Sequence, residues 1–255
     1  EISKLALLIY ISGYCVRRQS EINTTLGFFR PLVILAGFGL LIMSQPDLGS
    51  TLVISMLVIA ILFFAGISFL QFLLLICLMV SFAAYAVFFI AFRYARLISF
   101  TDPFAHFKEA GWQLGNALLG IGRGEWFGVG LGNSIQKNLY LPEPHTDFIF
   151  AVLVEEFGVA GSLILLALYA FLIVGIIMTA IKSIELGNLF NGLLAFGTGI
   201  LIAIQALFNI GVNLGMLPTK GLTLPFISYG GTSLIIFMFM IGMVLRINYE
   251  NRVTK

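Results

Sequence analysis

Long apolar runs, separated by shorter polar stretches, follow one another along the whole chain. A helix needs about 20 apolar residues to cross the hydrocarbon core of a bilayer. The strands of a membrane barrel would instead alternate apolar and polar positions in short segments, and these runs do not. The runs cover 4–16, 31–44, 50–67, 69–92, 148–181, 189–212 and 228–247. The pattern predicts an all-α fold, a polytopic transmembrane helical bundle with about seven spans.

Two stretches of the pattern are too long for a single crossing. The apolar sequence from 50 to 92 is divided at Gly66-Ile67-Ser68, which is compatible with a turn between two helices. The run 148–181 also exceeds one span, so we expect part of it to stand above the membrane or to tilt strongly. The chain starts at Glu1 within a helix-like pattern, and we interpret it as a fragment that lacks upstream spans.

Seven crossings divide the connecting segments between two sides of the membrane. One side holds 17–30, 66–69, 182–188 and the tail 246–255, and the other holds 45–49, 93–147 and 213–227. The first side carries seven Lys and Arg residues and the second carries six, of which five lie in one long loop. Long loops steer topology less than short ones, so we predict that the first side is cytoplasmic. We therefore treat 1–255 as a single membrane domain with a large extracytoplasmic loop at 93–147.

Composition and charge support a lipid environment and argue against nucleic acid as a partner. Hydrophobic residues make up 60% of the chain and charged residues only 10%, whereas soluble domains carry about 25% charged residues. The formal net charge is +2, and no run of Lys and Arg is present. A nucleic-acid-binding surface would need such a basic run. Membrane lipid is therefore the predicted surrounding of most of the chain.

Three polar clusters lie on the side that we predict to be extracytoplasmic. In 45–50, Asp47 either caps the next helix or faces a substrate. In 141–148, Asp147 stands at the start of an apolar helix and is open to the same two interpretations. Glu155 and Glu156 follow within that helix, where ionisable groups are costly and usually face a cavity or a partner. At about 100° per residue, Glu155 lies roughly on the side of Asp147 and Glu156 lies opposite.

The third cluster, 215–233, contains prolines and glycines that deny it a regular helix. Irregular backbone at a membrane edge is tolerated where it lines a cavity, and Lys220 supplies a cation there. The preceding apolar helix carries Gln205, Asn209 and Asn213 at intervals of four, so they share one face. We interpret these three amides as interhelical hydrogen-bonding contacts.

Four stretches of the sequence resemble the SEDS family (shape, elongation, division and sporulation) of bacterial membrane proteins. They are QPDLGS at 45–50, GRGEWFGVGLGNSIQK at 122–137, LPEPHTDFIFAVLVEEFG at 141–158 and LPTKGLTLPFISYGG at 217–231. The resemblance extends over the whole chain. The wording of TKGLTLP and GNSIQK is more similar to the cell-division branch of the family than to the elongation branch.

The resemblance implies ten spans with both ends cytoplasmic, of which this chain would hold the last seven. It implies a multi-pass protein of the bacterial cytoplasmic (inner) membrane, at the division septum. The implied activity is that of a peptidoglycan glycosyltransferase, which polymerises lipid II at the outer face of that membrane during cell division. The implied partners are lipid II, the undecaprenyl diphosphate-linked glycan, a class B penicillin-binding protein and other divisome proteins. The alternatives are a lipid II flippase, which is a transporter, or a non-catalytic divisome scaffold.

The resemblance also implies roles for individual residues. Asp147 corresponds to the family's essential aspartate and is our candidate for the general base, which takes a proton from the acceptor sugar. Cations are expected to stabilise the departing diphosphate. The candidate substrate contacts are Glu1, Lys4, Lys220, Arg93, Arg96, Arg123, Lys137, His145 and Glu155. A divalent cation (Mg²⁺ or Mn²⁺) as a helper stays open, because the sequence contains no dedicated metal motif.

Overall fold

The computed structural model describes residues 1–105, 107 and 111–253, and every regular element among them is helical. The helices are α1 Ile2–Arg17, α2 Thr25–Met43, α3 Leu48–Phe64, α4 Phe69–Phe88, α5 Ala91–Thr101, α6 Trp112–Gly124, α7 Ile149–Glu185, α8 Leu189–Asn213 and α9 Gly231–Val253. A short 3₁₀ turn at Gln19–Glu21 and a π-helical turn at Gln136–Tyr140 accompany them. The all-α prediction is confirmed.

Each of the seven predicted apolar runs forms a helix. Five of them, α2, α4, α7, α8 and α9, are long and apolar enough to cross a membrane. The other two are shorter, with 16 residues in α1 and 17 in α3. The chain is therefore a multi-pass membrane protein, while the count of seven spans and their sidedness stay predictions.

The predicted division of the run 50–92 is confirmed. Helix α3 ends at Phe64 and α4 begins at Phe69. Gly66 lies between them with φ +99°, a left-handed conformation that glycine adopts without strain. The apolar run nevertheless ends earlier than predicted, because α4 stops at Phe88 and α5 starts at Ala91. The long loop at 93–147 thus contains most of α5, all of α6 and the π-helical turn.

The chain folds into two compact units. The first comprises Glu1–Ala83, Leu172–Ile204 and Thr232–Lys255. Within it, Gly197 of α8 allows close packing, since a Cβ there would lie 2.3 Å from Leu8 and 3.0 Å from Ile61. The rings of Phe64 and Phe196 stack in the same region, with centroids 3.9 Å apart. Helices α1, α3 and α8 therefore share one tightly packed core.

The first unit also contains an apolar groove between α2, α3 and α4. Its volume is about 470 Å³, and its walls include Leu35, Gly39, Ile59, Leu78 and Phe82. The polar side chains in the wall are Thr51 and Ser55. The hydroxyl of Ser55 bonds to a carbonyl of its own helix, so it adds little polarity to the groove. The groove is suited to an apolar chain rather than a polar ligand.

The second unit comprises Ala84–Phe171 and Gln205–Gly231. Its core joins α6, the start of α7 and the end of α8 through Ala117, Leu141, Phe148, Ala151, Val152 and Val212. All six side chains are at least nine-tenths buried. Because Phe148 is part of this core, the residues that precede it are anchored to a rigid support. Asp147 is one of them.

Helix α7 is interrupted at Gly158, where φ is +68° and ψ is −168°. The interruption separates a short first segment, 149–157, from a longer segment, 159–185. The sequence pattern predicts that tilt or protrusion absorbs the excess length of 148–181. The structure divides the run at Gly158, so its first two turns need not share the direction of the rest. The protrusion or tilt stays a prediction.

Candidate active site

The turn before α7 is held by its backbone carbonyls. The carbonyl oxygen of His145 accepts a hydrogen bond of 2.8 Å from the amide of Tyr229. The carbonyl oxygen of Thr146 accepts one from the hydroxyl of Ser228. That hydroxyl also accepts the amide of Leu224 at 2.7 Å, which fixes its direction. The 217–231 loop is thereby bonded to the residues that precede Asp147.

The next carbonyl, that of Asp147, is held by two carboxamides from α8. The Nδ2 atoms of Asn209 and Asn213 each donate to it at 2.9 Å. Asn213 also accepts the amide of Ala151 through Oδ1 at 3.0 Å. This last bond satisfies one amide in the first turn of α7, which is the kind of amide that a capping aspartate would bind. We call the contacts of Tyr229, Ser228, Asn209 and Asn213 with the carbonyls of 145–147 the clamp.

The carboxylate of Asp147 lies against the backbone of Gly221. A Cβ built on Gly221 would be 3.1 Å from Oδ2 of Asp147, which is tighter than most real contacts of a Cβ. Glycine is therefore the residue that leaves room for the carboxylate. Lys220 precedes Gly221 in the chain and is half-buried, so the basic residue of this loop is adjacent to the segment that contacts the candidate base.

The third amide on this face of α8 is that of Gln205, and it bonds to the 217–231 loop at a residue after Gly221. Gln205 donates through Nε2 to the carbonyl and the hydroxyl of Thr223, both at 3.1 Å. Asn209 also donates to the carbonyl of Leu222 at 2.6 Å. From α7, the hydroxyl of Tyr169 donates to the carbonyl of Pro225. The predicted interhelical contact is found for Asn213, which accepts the amide of Ala151 in α7. For Gln205 and Asn209 the prediction is wrong in its partner, because the acceptors named here belong to loops.

A second polar centre lies at Glu155, whose side chain is fully buried. Arg123 pairs with its carboxylate at 3.0 Å. The hydroxyl of Ser134 and the amides of Ile135 and Gln136 also donate to the carboxylate. Four donors therefore surround one buried charge, which offsets the cost of removing it from water.

Glu156 is buried as well, and its carboxylate pairs with a different cation. Lys137 pairs with its carboxylate at 2.6 Å, and the amide of Ser134 donates to the same oxygen at 3.4 Å. We expect from the sequence that at least one of these acids is shielded from water and bonded to another span, and the shielding is confirmed. The expected kind of partner is wrong. Their described partners lie in α6 and in the loop up to Lys137 rather than in another apolar helix.

Next to Gly158, where α7 is interrupted, backbone groups of α7 form hydrogen bonds with backbone groups of the same loop. A break in a helix leaves carbonyls before it and amides after it without partners in the helix. Here the carbonyls of Glu155 and Glu156 accept the amides of Val129 and Gly130, at 3.0 and 3.1 Å. The amides of Val159 and Ala160 donate to the carbonyls of Glu125 and Trp126, at 2.9 and 3.0 Å. We call the contacts between 123–137 and 155–160 the clasp.

Two glycines allow the clasp to close. A Cβ on Gly124 would lie 2.1 Å from the carbonyl oxygen of Val154, and one on Gly128 would lie 2.1 Å from that of Glu156. Both distances are far below any tolerated contact with backbone. The close approach of this loop to α7 thus explains why glycine occupies positions 124 and 128.

The remaining candidates lie elsewhere. The guanidinium of Arg93 is buried and donates to the carbonyl of Ala86 near the end of α4, at 3.3 Å. Arg96 is half-buried, and burial lowers the pKa of its guanidinium, which stays charged at neutral pH. Glu1 and Lys4 form an ion pair of 2.6 Å in the first unit. Among residues 1–105, 107 and 111–253, no three His, Cys, Asp or Glu side chains gather into a metal site.

The sequence matches one family model over residues 1–253, the cell cycle proteins FtsW, RodA and SpoVE. The chain belongs to this family. It is 46% identical over 253 residues to a probable peptidoglycan glycosyltransferase FtsW of Pseudomonas fluorescens, covering 99% of this chain and 62% of the relative. It is 45% identical over 255 residues to the protein of the same name from Nitrosococcus halophilus, covering 100% of this chain and 66% of the relative. The chain thus spans just under two thirds of these relatives.

Solved structures of this family show the same fold. One chain, from work on the structural coordination of polymerization and crosslinking by a peptidoglycan synthase complex, aligns with a TM-score of 0.77 at 27% identity. The alignment covers 97% of this chain and 68% of that one. The rod shape determining protein RodA of Thermus thermophilus aligns with a TM-score of 0.61 at 26% identity, covering 96% and 65%. The higher identity to FtsW proteins confirms the predicted resemblance to the division branch.

In this member of the FtsW, RodA and SpoVE family, the sequence motifs contain the candidate base but do not reveal the contacts that support it. Ser228 and Tyr229 are not among the predicted site residues, although both lie within a quoted motif. Their side chains carry no charge, and the contact of Tyr229 is made by its backbone amide. The signal that could have revealed the clamp is the spacing of Asn209 and Asn213. Two buried amides on one helix face require acceptors, and the irregular loops supply them.

Proposed function

We propose that this chain is the larger part of a peptidoglycan glycosyltransferase that polymerises lipid II at the outer face of the bacterial cytoplasmic membrane, at the septum. Membership of the family supports the proposal, as does the identity of about 45% to proteins named probable peptidoglycan glycosyltransferase FtsW. A similar chain belongs to a peptidoglycan synthase complex. A class B penicillin-binding protein is accordingly the proposed partner, together with other divisome proteins.

The proposed reaction needs a base and a stabilised leaving group. The hydroxyl of the acceptor sugar attacks the anomeric carbon of the donor, and its proton passes to the carboxylate of Asp147. The bond between that carbon and the diphosphate breaks, and undecaprenyl diphosphate leaves with the bonding electrons. Positive charge lowers the energy of this departing anion. Lys220, which adjoins Gly221 in the loop beside Asp147, is the group that we propose to supply it.

The single observation that supports this mechanism best is the placement of Asp147. Its carbonyl is bonded to two carboxamides, and its carboxylate lies against Gly221. A preorganised carboxylate beside a basic, irregular loop is suited to acid–base chemistry on a charged substrate. Lys220 is our proposed contact for the diphosphate because it adjoins Gly221.

The clasp changes the assignment of three other candidates. Arg123 and Lys137 pair with Glu155 and Glu156, so their charges already serve buried carboxylates. We propose structural roles for Arg123, Lys137 and Glu155. Glu1 and Lys4 remain proposed substrate contacts on the ground of the family resemblance alone. The apolar groove of the first unit is our proposed site for the polyprenyl tail.

The test compares Asp147→Asn and Asp147→Ala in the full-length protein, purified with its penicillin-binding partner and given labelled lipid II. Asparagine keeps the shape of the side chain but does not accept a proton at neutral pH. We expect the Asn variant to polymerise at least about a hundredfold more slowly while thermal unfolding stays unchanged. Near wild-type polymerisation by the Asn variant would overturn the base assignment.

The same samples separate the alternatives. If the wild-type complex makes no polymer but moves lipid II across vesicle membranes, the flippase is correct. If it does neither, the scaffold is correct. Both outcomes would refute the glycosyltransferase proposal.

A further inference from the structure

We propose that Asn209 and Ser228 are positioning residues, which act on the reaction by fixing the backbone that carries Asp147. The proposal rests on the proposed function, since it assigns these residues to the support of the candidate base. Neither residue needs to touch the substrate. Both act through main-chain carbonyls of the segment that ends at Asp147.

Three consecutive carbonyls are the basis of this inference. Those of His145, Thr146 and Asp147 each accept a hydrogen bond from a residue distant in sequence. A backbone segment that lacks helix and strand ladders usually bonds to water or to its neighbours. Here every carbonyl from 145 to 147 is bonded to the 217–231 loop or to α8. The direction in which the Cα–Cβ bond of Asp147 points is thereby constrained on the main chain.

Asn209 has a particular place in this network. Its carboxamide nitrogen carries two protons, and it donates to two different segments, the carbonyls of Asp147 and Leu222. Leu222 follows Gly221, whose backbone contacts the carboxylate of Asp147. One side chain therefore sets both the position of the candidate base and the position of the surface against which it rests. Asn209 is 2% exposed, so water does not readily replace its side chain.

A buried asparagine in the first unit offers a matched control. Asn251 is 3% exposed and also donates through Nδ2 to two acceptors, the carbonyl of Thr179 and the hydroxyl of Ser183. The loss of either carboxamide should cost similar stability, because similar buried hydrogen bonds are removed. Of these two asparagines, Asn209 is the one bonded to the segment that carries Asp147. The pair therefore separates positioning from general stabilisation.

The experiment uses the full-length protein with its partner and compares Asn209→Ala, Ser228→Ala, Ser228→Thr and Asn251→Ala. We expect Asn209→Ala and Ser228→Ala to lower kcat by about tenfold or more with KM within about twofold, as misplacement of a catalytic group predicts. Ser228→Thr keeps the hydroxyl and should retain most of the activity. Asn251→Ala should keep kcat although its thermal stability falls.

Two kinetic outcomes would overturn the proposal. The first is an equal fall of kcat in Asn209→Ala and Asn251→Ala, which would make the effect one of general stability. The second is a rise of KM with kcat unchanged, which would indicate that Asn209 or Ser228 contacts the substrate instead.

Hydrogen exchange provides a measurement that does not depend on activity. The amides of Tyr229 and Ala151 donate within the clamp and the adjacent cap. We expect peptides containing them to exchange at least about tenfold faster in Asn209→Ala than in Asn251→Ala. Unchanged exchange in Asn209→Ala would refute the clamp itself. If polymerisation is absent from the wild type while exchange behaves as expected, the proposed function fails and the structural part of the inference stands.

Discussion

The clasp and the clamp both fix a stretch of backbone next to the first segment of α7, 149–157, but they use different chemistry. The clasp adds charge to its backbone hydrogen bonds, since Glu155 and Glu156 are buried and pair with Arg123 and Lys137. The clamp relies on neutral donors, because amides and a hydroxyl bond to the carbonyls of 145–147. In the clasp the carboxylates themselves are anchoring groups. In the clamp the anchoring group of Asp147 is its carbonyl.

This difference teaches how an acid in a membrane protein can be assigned to structure or to chemistry. The carboxylate of Glu155 is surrounded by four donors, so it already serves as the acceptor that bonds α6 and the following loop to α7. Asp147 is positioned through its main-chain carbonyl, so the proton transfer that we propose for its carboxylate would leave those backbone bonds in place. The sequence places Asp147 and Glu155 only about two helical turns apart, yet their described contacts differ, and on that ground we propose different roles for them.

The largest expected effect follows from the removal of an anchoring carboxylate. Glu155→Ala deletes the acceptor for Arg123, Ser134 and two amides, so we expect a loss of about 3 kcal/mol in the free energy of unfolding. Thermal unfolding in detergent measures it. The matched control is Glu185→Ala, an exposed glutamate at the end of the same helix, which should unfold like the wild type.

The Glu155 variant also tests the division between the two regions. If Glu155 instead bound substrate, Glu155→Ala would raise KM in the polymerisation assay and leave unfolding nearly unchanged. That result would remove the distinction between the clasp and the clamp.

A smaller effect is expected from two glycines of α6 that differ in what surrounds them. A Cβ on Gly124 would meet the carbonyl oxygen of Val154 at 2.1 Å, whereas a Cβ on Gly122 meets nothing within 4 Å. Gly124→Ala should therefore force the clasp apart and cost about 2 kcal/mol of unfolding free energy. Gly122→Ala should stabilise the protein by about 0.5 kcal/mol, because alanine is the better helix former. Equal stabilities of the two variants would show that the close approach to α7 is not required.

Much of the helical framework is predictable from the sequence, because each helix that crosses the lipid needs about 20 consecutive apolar residues. The turn at Gly66 and the excess length of the run 148–181 are both visible as departures from that rule. The interruption at Gly158 is not visible in the sequence, since a single glycine in an apolar helix is common in membranes. What permits the interruption is the backbone of 125–130, and a hydrogen bond between two backbones leaves little trace in side-chain patterns.

The candidate site is only partly predictable for a related reason. Asp147 can be singled out because it is charged and stands in a recognisable motif. The ion pairs of Arg123 and Lys137 cannot, because nothing in the sequence says whether a loop cation faces a substrate or a buried acid. Their partners, Glu155 and Glu156, lie 32 and 19 positions away. Chain separations of this size carry no geometric information until the fold brings the groups together.

The smallest expected effect concerns two tyrosines that make the same kind of contact. The hydroxyl of Tyr169 donates to the carbonyl of Pro225 in the 217–231 loop, and that of Tyr14 donates to the carbonyl of Gly27 in the first unit. Each replacement by phenylalanine removes one buried donor and leaves one carbonyl without this bond, so each should cost about 1 kcal/mol of unfolding free energy.

The consequences of these two replacements for turnover should differ. Tyr169→Phe loosens the loop that supplies Ser228 and Tyr229 to the clamp, and kcat should fall by about threefold, because small displacements of a catalytic group already slow a reaction. Tyr14→Phe leaves the clamp intact and should keep the wild-type kcat. Unfolding measured by heat and polymerisation measured with labelled lipid II, on the same two samples, give both quantities. Equal turnover by the two variants at equal stability would mean that the clamp tolerates movement of its loop, and that the hold on Asp147 is provided by α8 alone.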